Sequence, residues 1–252
     1  MNFETASLVS WIWSIIGLLT FLWLMTKMVA PFGRHMRTGF GYSIPAKYGW
    51  IVMESVSFFT FGAVFLTGSS EKTAIHWLLA GCWMMHYLNR SFIYPFQIRN
   101  KKGVMPLLVV FSAVIFNIVN AGLNGFFLGT LVQFPAGYFL HFTFILGAFL
   151  FLAGALLNII SDQQLLRLRK HGEKGYKIPY GKPFTWISCP NHFGEIVEWL
   201  GFAFMAWNPA AWSFSIWTFA NLVPRSLAHH SWYKRTFSKY PKNRKAVFPF
   251  LL

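Results

Sequence analysis

Acidic side chains are scarce in this chain of 252 residues: seven Asp and Glu stand against 22 Lys and Arg, a net charge of +15. With so few carboxylates each can be weighed singly, and Asp162 is the sole aspartate. Cysteine is scarcer still. Cys82 lies inside an apolar run and Cys189 in a basic segment, so no disulfide framework is indicated. No Gly-x-Gly-x-x-Gly follows a strand and no Walker loop occurs, which removes support for a Rossmann or P-loop nucleotide site. His229 and His230 are adjacent, so on a helix they project about 100° apart with no carboxylate or Cys beside them, and no metal is expected. Internal repeats and low-complexity tracts are absent.

What is abundant is apolar surface. The chain is 55% hydrophobic and 20% aromatic but only 12% charged, a composition that calls for a membrane. A charge of +15 alone would raise nucleic acid as a partner, but 12 Trp and 29 Phe set in long apolar runs argue against it. The cations suit topology, anionic membrane lipid and a phosphorylated cofactor better. The first apolar segment has no basic n-region and is too long for a signal peptide, so it is expected to stay as a span.

Apolar runs predict seven helices, at Ala6 to Ala30, Tyr48 to Gly68, Thr73 to Phe96, Val104 to Leu131, Pro135 to Ile160, His192 to Trp207 and Pro209 to Ala228. The Asn208-Pro209 break could instead be a kink in one long helix. Charge decides between the two. With seven spans, 20 of the 22 cations fall in alternate loops, Lys27 lies near the same side and only Lys72 opposes them. The expected fold is therefore an all-α integral membrane protein with seven transmembrane helices, N-terminus outside and C-terminus cytosolic. Residues 1–252 form one membrane domain, in which residues 161–193 make a basic cytosolic loop. The closing Tyr240–Leu252 tail, basic and then apolar, is suited to lie against headgroups.

Polar residues inside the spans are the candidates for chemistry. Glu54 sits about a third of the way into span two; a carboxylate is costly in hydrocarbon, whereas a neutral acid there can donate a hydrogen bond to a substrate carbonyl. A bond to a neighbouring helix is the plainer reading. Tyr87, near the end of span three, could be a second donor or a satisfied core tyrosine. His86 and Arg90 are spaced to share a helical face, as are Tyr87 and Tyr94. Asn117, Asn120 and Asn124 form a stripe that interhelical packing explains as well as a ligand does. Asn158, Asp162 and Arg169 lie near one face if span five continues past the bilayer, and Arg225, His229 and Tyr233 repeat that spacing at the end of span seven. Two cytosolic helix ends beside a basic loop could cradle a dinucleotide: Arg for phosphates, Asn and Asp for ribose or carboxamide, Tyr for stacking. Snorkelling toward headgroups accounts for most terminal cations but not for Asp162.

The C-terminal half resembles the steroid 5α-reductase family. The resemblance is carried by Asn158-Ile-Ile-Ser-Asp162, by Leu168-Arg-Lys-His-Gly172-Glu with Tyr176-Lys-Ile-Pro179, by Asn191-His-Phe-Gly194-Glu195-Ile-Val-Glu198-Trp199, by Arg225-Ser-Leu-Ala-His229-His230-Ser-Trp-Tyr233 and by the Tyr240-Pro-Lys-Asn-Arg244-Lys245 tail. Upstream, Glu54-Ser55 and His86-Tyr87-Leu-Asn-Arg90 also fit. The resemblance implies a seven-helix oxidoreductase that uses NADPH to reduce the Δ4 double bond of a 3-oxo-steroid, with Glu54 and Tyr87 holding the 3-keto oxygen. It implies cofactor contacts at Asn158, Asp162, Arg169, Tyr176, Asn191, Glu195, Arg225, His229 and Tyr233, with looser matches at Arg99 and Lys101. Met53 stands where animal members carry Gln, which bears on steroid preference.

The expected partners are a steroid-like lipid and the bilayer, with no nucleic acid and no metal, and a monomer is favoured. The expected location is the endoplasmic reticulum in a eukaryote or the inner membrane in a bacterium. A related reductase of 2,3-trans-enoyl-CoA or polyprenol is the nearest alternative. A membrane methyltransferase would leave the basic loop without a purpose, and a non-enzymatic seven-helix protein fits the topology alone.

Overall fold

The computed structural model describes residues 1–26, 29–37, 39–98, 103–168 and 175–252. The long apolar runs fold as helices, because in hydrocarbon every backbone N–H and C=O must find its partner within the segment. In chain order these are α1 (Phe3–Thr26), α2 (Ala46–Thr67), α3 (Ala74–Leu88), a short α4 (Tyr94–Gln97), α5 (Leu107–Phe126), α6 (Phe142–Arg167), α7 (Pro190–Ala206) and α8 (Pro209–Thr236). Among the described residues four helices, α1, α2, α5 with its continuation to Leu131, and α6, are long and apolar enough to cross a bilayer. The protein is a helical membrane protein.

The observed boundaries depart from the expected ones where the local backbone demands it. The fifth helix begins at Phe142, not Pro135, because Gly137 takes a left-handed φ of 78° and the chain turns through a 3-10 segment at Tyr138–Leu140 first. It then runs to Arg167, well beyond Ile160, and α7 starts at Pro190, so the basic segment 161–193 is helical at both ends. The break at Asn208-Pro209 separates two helices. Trp207 is left-handed at φ 44°, and the Asn208 side chain caps α8 by accepting from the Ala211 N–H at 3.1 Å.

The π-helical turn Asn89–Ile93 joins α3 to α4. Its extra residue re-phases the helix beyond it, so Tyr87 enters the aromatic core while Tyr94 packs edge-on against Trp50.

The helices pack by small residues. On α1, Ala6, Ser10, Ser14 and Gly17 are buried, and Gly17 lies against the Trp217 indole of α8, whose N–H donates to Trp13 O at 2.8 Å. The opposite face, with Leu8, Ile12, Ile15, Leu19 and Leu22, is exposed and suits lipid. The tightest contact is the α6–α7 seam. A Cβ on Gly194 would stand 2.5 Å from the Asn158 amide nitrogen, and one on Gly154 would collide with that of Glu198, so only glycine permits this approach. The stacked rings of Phe61 and Trp83, with Trp199, Phe202 and Phe214, fill the centre between α2, α3, α7 and α8.

Outside the helices, β1 (Ser43–Pro45) and β2 (Val104–Pro106) pair antiparallel with Ile44 opposite Met105. This clip ties the α1–α2 connection to the segment before α5. The C-terminal tail folds back in its middle and leaves Phe250 and Leu251 exposed at its end. It pairs with the residues before α7 through Ser188 N to Lys245 O and Cys189 N to Ala246 O, and it buries Ala246 and Val247. Those backbone bonds and the apolar contact of Val247 with Ile196 and Val223 anchor it to α7 and α8.

Candidate active site

A cavity of about 500 Å³ opens where α2, α6, α7 and α8 meet the connecting segments. The sequence periodicity on α6 places Asn158 and Asp162 one turn apart, both buried against α7. Asn158 donates to Asn191 O at 3.0 Å and Glu195 Oε2 at 3.3 Å, and Asn191 donates to Asp162 Oδ1 at 2.9 Å. Arg90, on the π-helical turn, pairs with the other Asp162 oxygen at 3.2 Å and lies over the rings of Trp50 and Tyr94. Donors and acceptors in this network are matched among themselves, which fixes their positions.

The rim of the cavity near Arg34 and Arg225 is built differently. The Arg34 guanidinium lies 4.5 Å from the Tyr233 ring centroid and 5.0 Å from those of Tyr176 and Trp232, and its buried Nη1 has no hydrogen-bond partner among the described residues. Arg225 covers the Phe32 ring at 3.6 Å and donates to the Phe32 carbonyl at 3.5 Å. His35 Nε2 and His229 Nδ1 share a hydrogen bond of 2.7 Å, with rings stacked at 4.8 Å. Burial, followed by the charges of Arg225, Arg34, Arg37 and Arg235, pushes the His35 pKa down to about 4. Burial pushes the Cys189 thiol up to about 11, so it is an inert lining group. The two arginines of this rim have no carboxylate partner among the described residues, and guanidinium groups so placed suit an anion.

Of the residues singled out from sequence, Asp162, Tyr176, Asn191, Glu195, Arg225, His229 and Tyr233 line this one cavity, and Asn158 braces it from behind. Arg169, Arg99 and Lys101 lie outside the described residues. Glu54 and Tyr87 do not line the cavity but adjoin it. Trp50, one turn before Glu54, and Arg90, three residues after Tyr87, both do. Tyr87 is buried, Glu54 partly so, and Glu54 is within electrostatic reach of both Tyr87 and Arg90. The asparagine stripe on α5 meets backbone instead: Asn117 donates to Met53 O at 2.6 Å and Asn124 to Asn120 O and Ala210 O. His230 bonds Ser188. Among the described residues no group of three His, Cys, Asp or Glu could hold a metal.

Similarity to known proteins places the chain in a family. The family model for 3-oxo-5-alpha-steroid 4-dehydrogenase matches residues 103–252. The steroid 5-alpha-reductase DET2 of Solanum lycopersicum is 40% identical over 226 residues, 88% of each chain. The 3-oxo-5-alpha-steroid 4-dehydrogenase 1 of Bos taurus is 37% identical over 235 residues, 91% of each chain. The chain belongs to the 3-oxo-5-alpha-steroid 4-dehydrogenase family. That is a family of oxidoreductases, and the match runs through both halves of the cavity.

Within this steroid dehydrogenase family site, sequence reasoning missed Arg34, His35, Trp50 and His192 as lining or bracing residues. Arg34 counted only as a topology charge. Its signal was there: Gly33-Arg34-His35 breaks the first basic loop with a glycine at φ 64°, which turns Arg34 back over the cavity. His192 bonds Ser226 at 2.8 Å and packs on His229, so it supports the rim from within the fold.

Proposed function

We propose that this protein reduces the Δ4 double bond of a 3-oxo-steroid to the 5α-reduced 3-oxo-steroid with NADPH. The observation that carries the reading is a cavity whose cationic rim has no carboxylate partner among the described residues, adjoined through Trp50 and Arg90 by a partly buried carboxyl within electrostatic reach of a buried phenol, Glu54 and Tyr87. The donor set fits a phosphorylated dinucleotide: Arg34 and Arg225 take phosphate charge, Tyr176 and Tyr233 offer ring faces, and Asp162, Asn191 and Glu195, the last two braced by Asn158, present a fixed amide and carboxylates to ribose or carboxamide. His229 completes the rim, and Arg169 belongs to the same set.

Glu54 and Tyr87 donate hydrogen bonds to the steroid 3-oxo group and stabilise the negative charge that develops there. Away from bulk water two such donors act at full strength. When bound, the reduced nicotinamide supplies a hydride to C5. The C4–C5 π electrons then move toward O3, the enolate takes a proton at C4, and the carbonyl reforms as Glu54 and Tyr87 keep hold of its oxygen. Arg90, paired to Asp162 and adjoining Glu54, holds the two ends of the site in register.

The reading includes seven membrane crossings with the N-terminus outside, a single membrane domain over residues 1–252 completed by 161–193, and a monomer in the endoplasmic reticulum or bacterial inner membrane. Helices α3, α7 and α8 are the crossings added to the four that qualify by length and composition. Purified protein with NADPH is expected to convert testosterone or progesterone to the 5α product, identified by mass and retention. NADPH consumption with no 5α product from any 3-oxo-Δ4-steroid would overturn the reading.

A further inference from the structure

Beside the catalytic pair lies a second buried polar contact that the proposed chemistry does not use. His86 Nδ1 donates to Glu198 Oε1 at 2.8 Å, joining α3 to α7 across 112 positions of sequence. Both side chains are almost completely buried, at 7% and 3% exposure, and the other Glu198 oxygen has no partner among the described residues. Leaving this pair buried is costly and packing alone could have filled the space, so its presence calls for a role in specificity of arrangement.

The neighbours of the pair supply that role. His86 immediately precedes Tyr87, and Glu198 immediately precedes Trp199. The Trp199 ring meets the His86 ring edge-on at 4.7 Å and tilts against the Tyr87 ring at 6.0 Å, while Trp83 holds Tyr87 from its own helix at 5.2 Å. Two consecutive residues of α7 thus grip two consecutive residues of α3. Consecutive helical side chains project about 100° apart, so a two-by-two clasp fixes rotation and height together, which one contact cannot. It does so where rotation is least secure, because α3 ends at Leu88 and the π-helical turn begins at Asn89. The α7 side of the clasp is itself immobile, since Gly154 of α6 abuts the Glu198 backbone.

We infer that Glu198 is a positioning residue for the reaction: through His86 and together with Trp199 it sets the azimuth of Tyr87, so that the phenol and Glu54 converge on one carbonyl oxygen. The inference rests on the proposed role of Tyr87 and adds a group that touches neither substrate nor cofactor. Small misplacements of a donor cost rate steeply, because the stabilisation depends on distance and direction.

A double-mutant cycle tests it. Glu198→Leu is expected to lower kcat about 50-fold while NADPH affinity, read by nicotinamide fluorescence, stays within about threefold. Glu198→Gln, whose amide oxygen still accepts from His86, is expected to keep at least a fifth of the rate. In a Tyr87→Phe background the same Glu198→Leu change should cost no more than about threefold, because the group it positions is gone. Equal losses in both backgrounds, or a parallel loss of NADPH affinity, would overturn the inference and leave Glu198 a general packing residue. Amide hydrogen exchange over residues 86–93 gives a readout independent of turnover: it should rise in Glu198→Leu and not in Glu198→Gln, and unchanged exchange would also overturn it. Absence of steroid turnover in the unmodified protein would instead count against the function proposed above, with the exchange result still deciding the clasp.

Discussion

Two polar regions meet at the cavity, and they treat charge in opposite ways. At and beside the α6–α7 seam Arg90 has Asp162, Asn191 has Asp162, Asn158 has Glu195 and His86 has Glu198, so each cation and amide named has an acceptor within the fold. At the rim Arg34 and Arg225 face aromatic rings and a single carbonyl, with no carboxylate on either guanidinium among the described residues. A matched network holds its shape without a ligand, whereas a surplus of cations is stabilised by one. The seam therefore sets geometry, and the rim sets what may bind.

The contrast breaks most severely at its inner end. Glu54→Gln is expected to cut steroid turnover by about 1000-fold while NADPH binding changes less than twofold, measured by single-turnover kinetics and fluorescence titration. Full activity in that variant would remove Glu54 from the chemistry. The seam itself should fail through backbone sterics: Gly154→Ala forces a Cβ against the Glu198 amide and is expected to cost ~3 kcal/mol, seen as a lower midpoint of thermal unfolding in detergent. An unchanged midpoint would mean that the helices slide apart freely.

At the rim the effect should fall on affinity alone. Arg225→Gln is expected to weaken NADPH about 30-fold and to flatten the dependence of binding on salt, with steroid affinity and the unfolding midpoint preserved. An equal loss of stability would show that Arg225 belongs with the matched network. The smallest effect is one of pH. The folded His35 imidazole, at about 4 against an ordinary 6.5, holds its proton less tightly than the unfolded chain does. Its contribution to stability is thus complete above pH 6.5, declines as the pH falls toward 4 and then levels off. His35→Gln should remove part of the slope of the unfolding midpoint across that window, and an identical slope would place the titration elsewhere.

Much of this was legible in sequence, for identifiable reasons. Hydrophobic runs located the helices, and helical spacing picked out Asp162, Arg225, His229 and Tyr233, four of the seven expected residues that line the cavity, because residues on one helix keep their phase; Tyr176, Asn191 and Glu195 were expected only from the family resemblance. Arg34 and His35 escaped because a loop has no period to read. The π-helical turn at Asn89–Ile93 escaped because it breaks the very period on which Tyr87 and Tyr94 were aligned. The asparagine stripe on α5 was seen but left open, and only the partner carbonyls of Met53 and Ala210 give it a packing role. The pairing of the tail with residues 186–189 escaped because it is nonlocal.

The strand pair β1–β2 spans three residues on each side, continued by Ala46 N to Gly103 O and Leu107 N to Tyr42 O. Ala46, Gly103, Val104 and Met105, on or beside it, all line the cavity. Each strand runs without a break into a helix, β1 into α2 at Ala46 and β2 into α5 at Leu107. That stretch of cavity wall is consequently continuous with the helix that carries Glu54, so a substitution in the clip would be felt at the carboxyl as well.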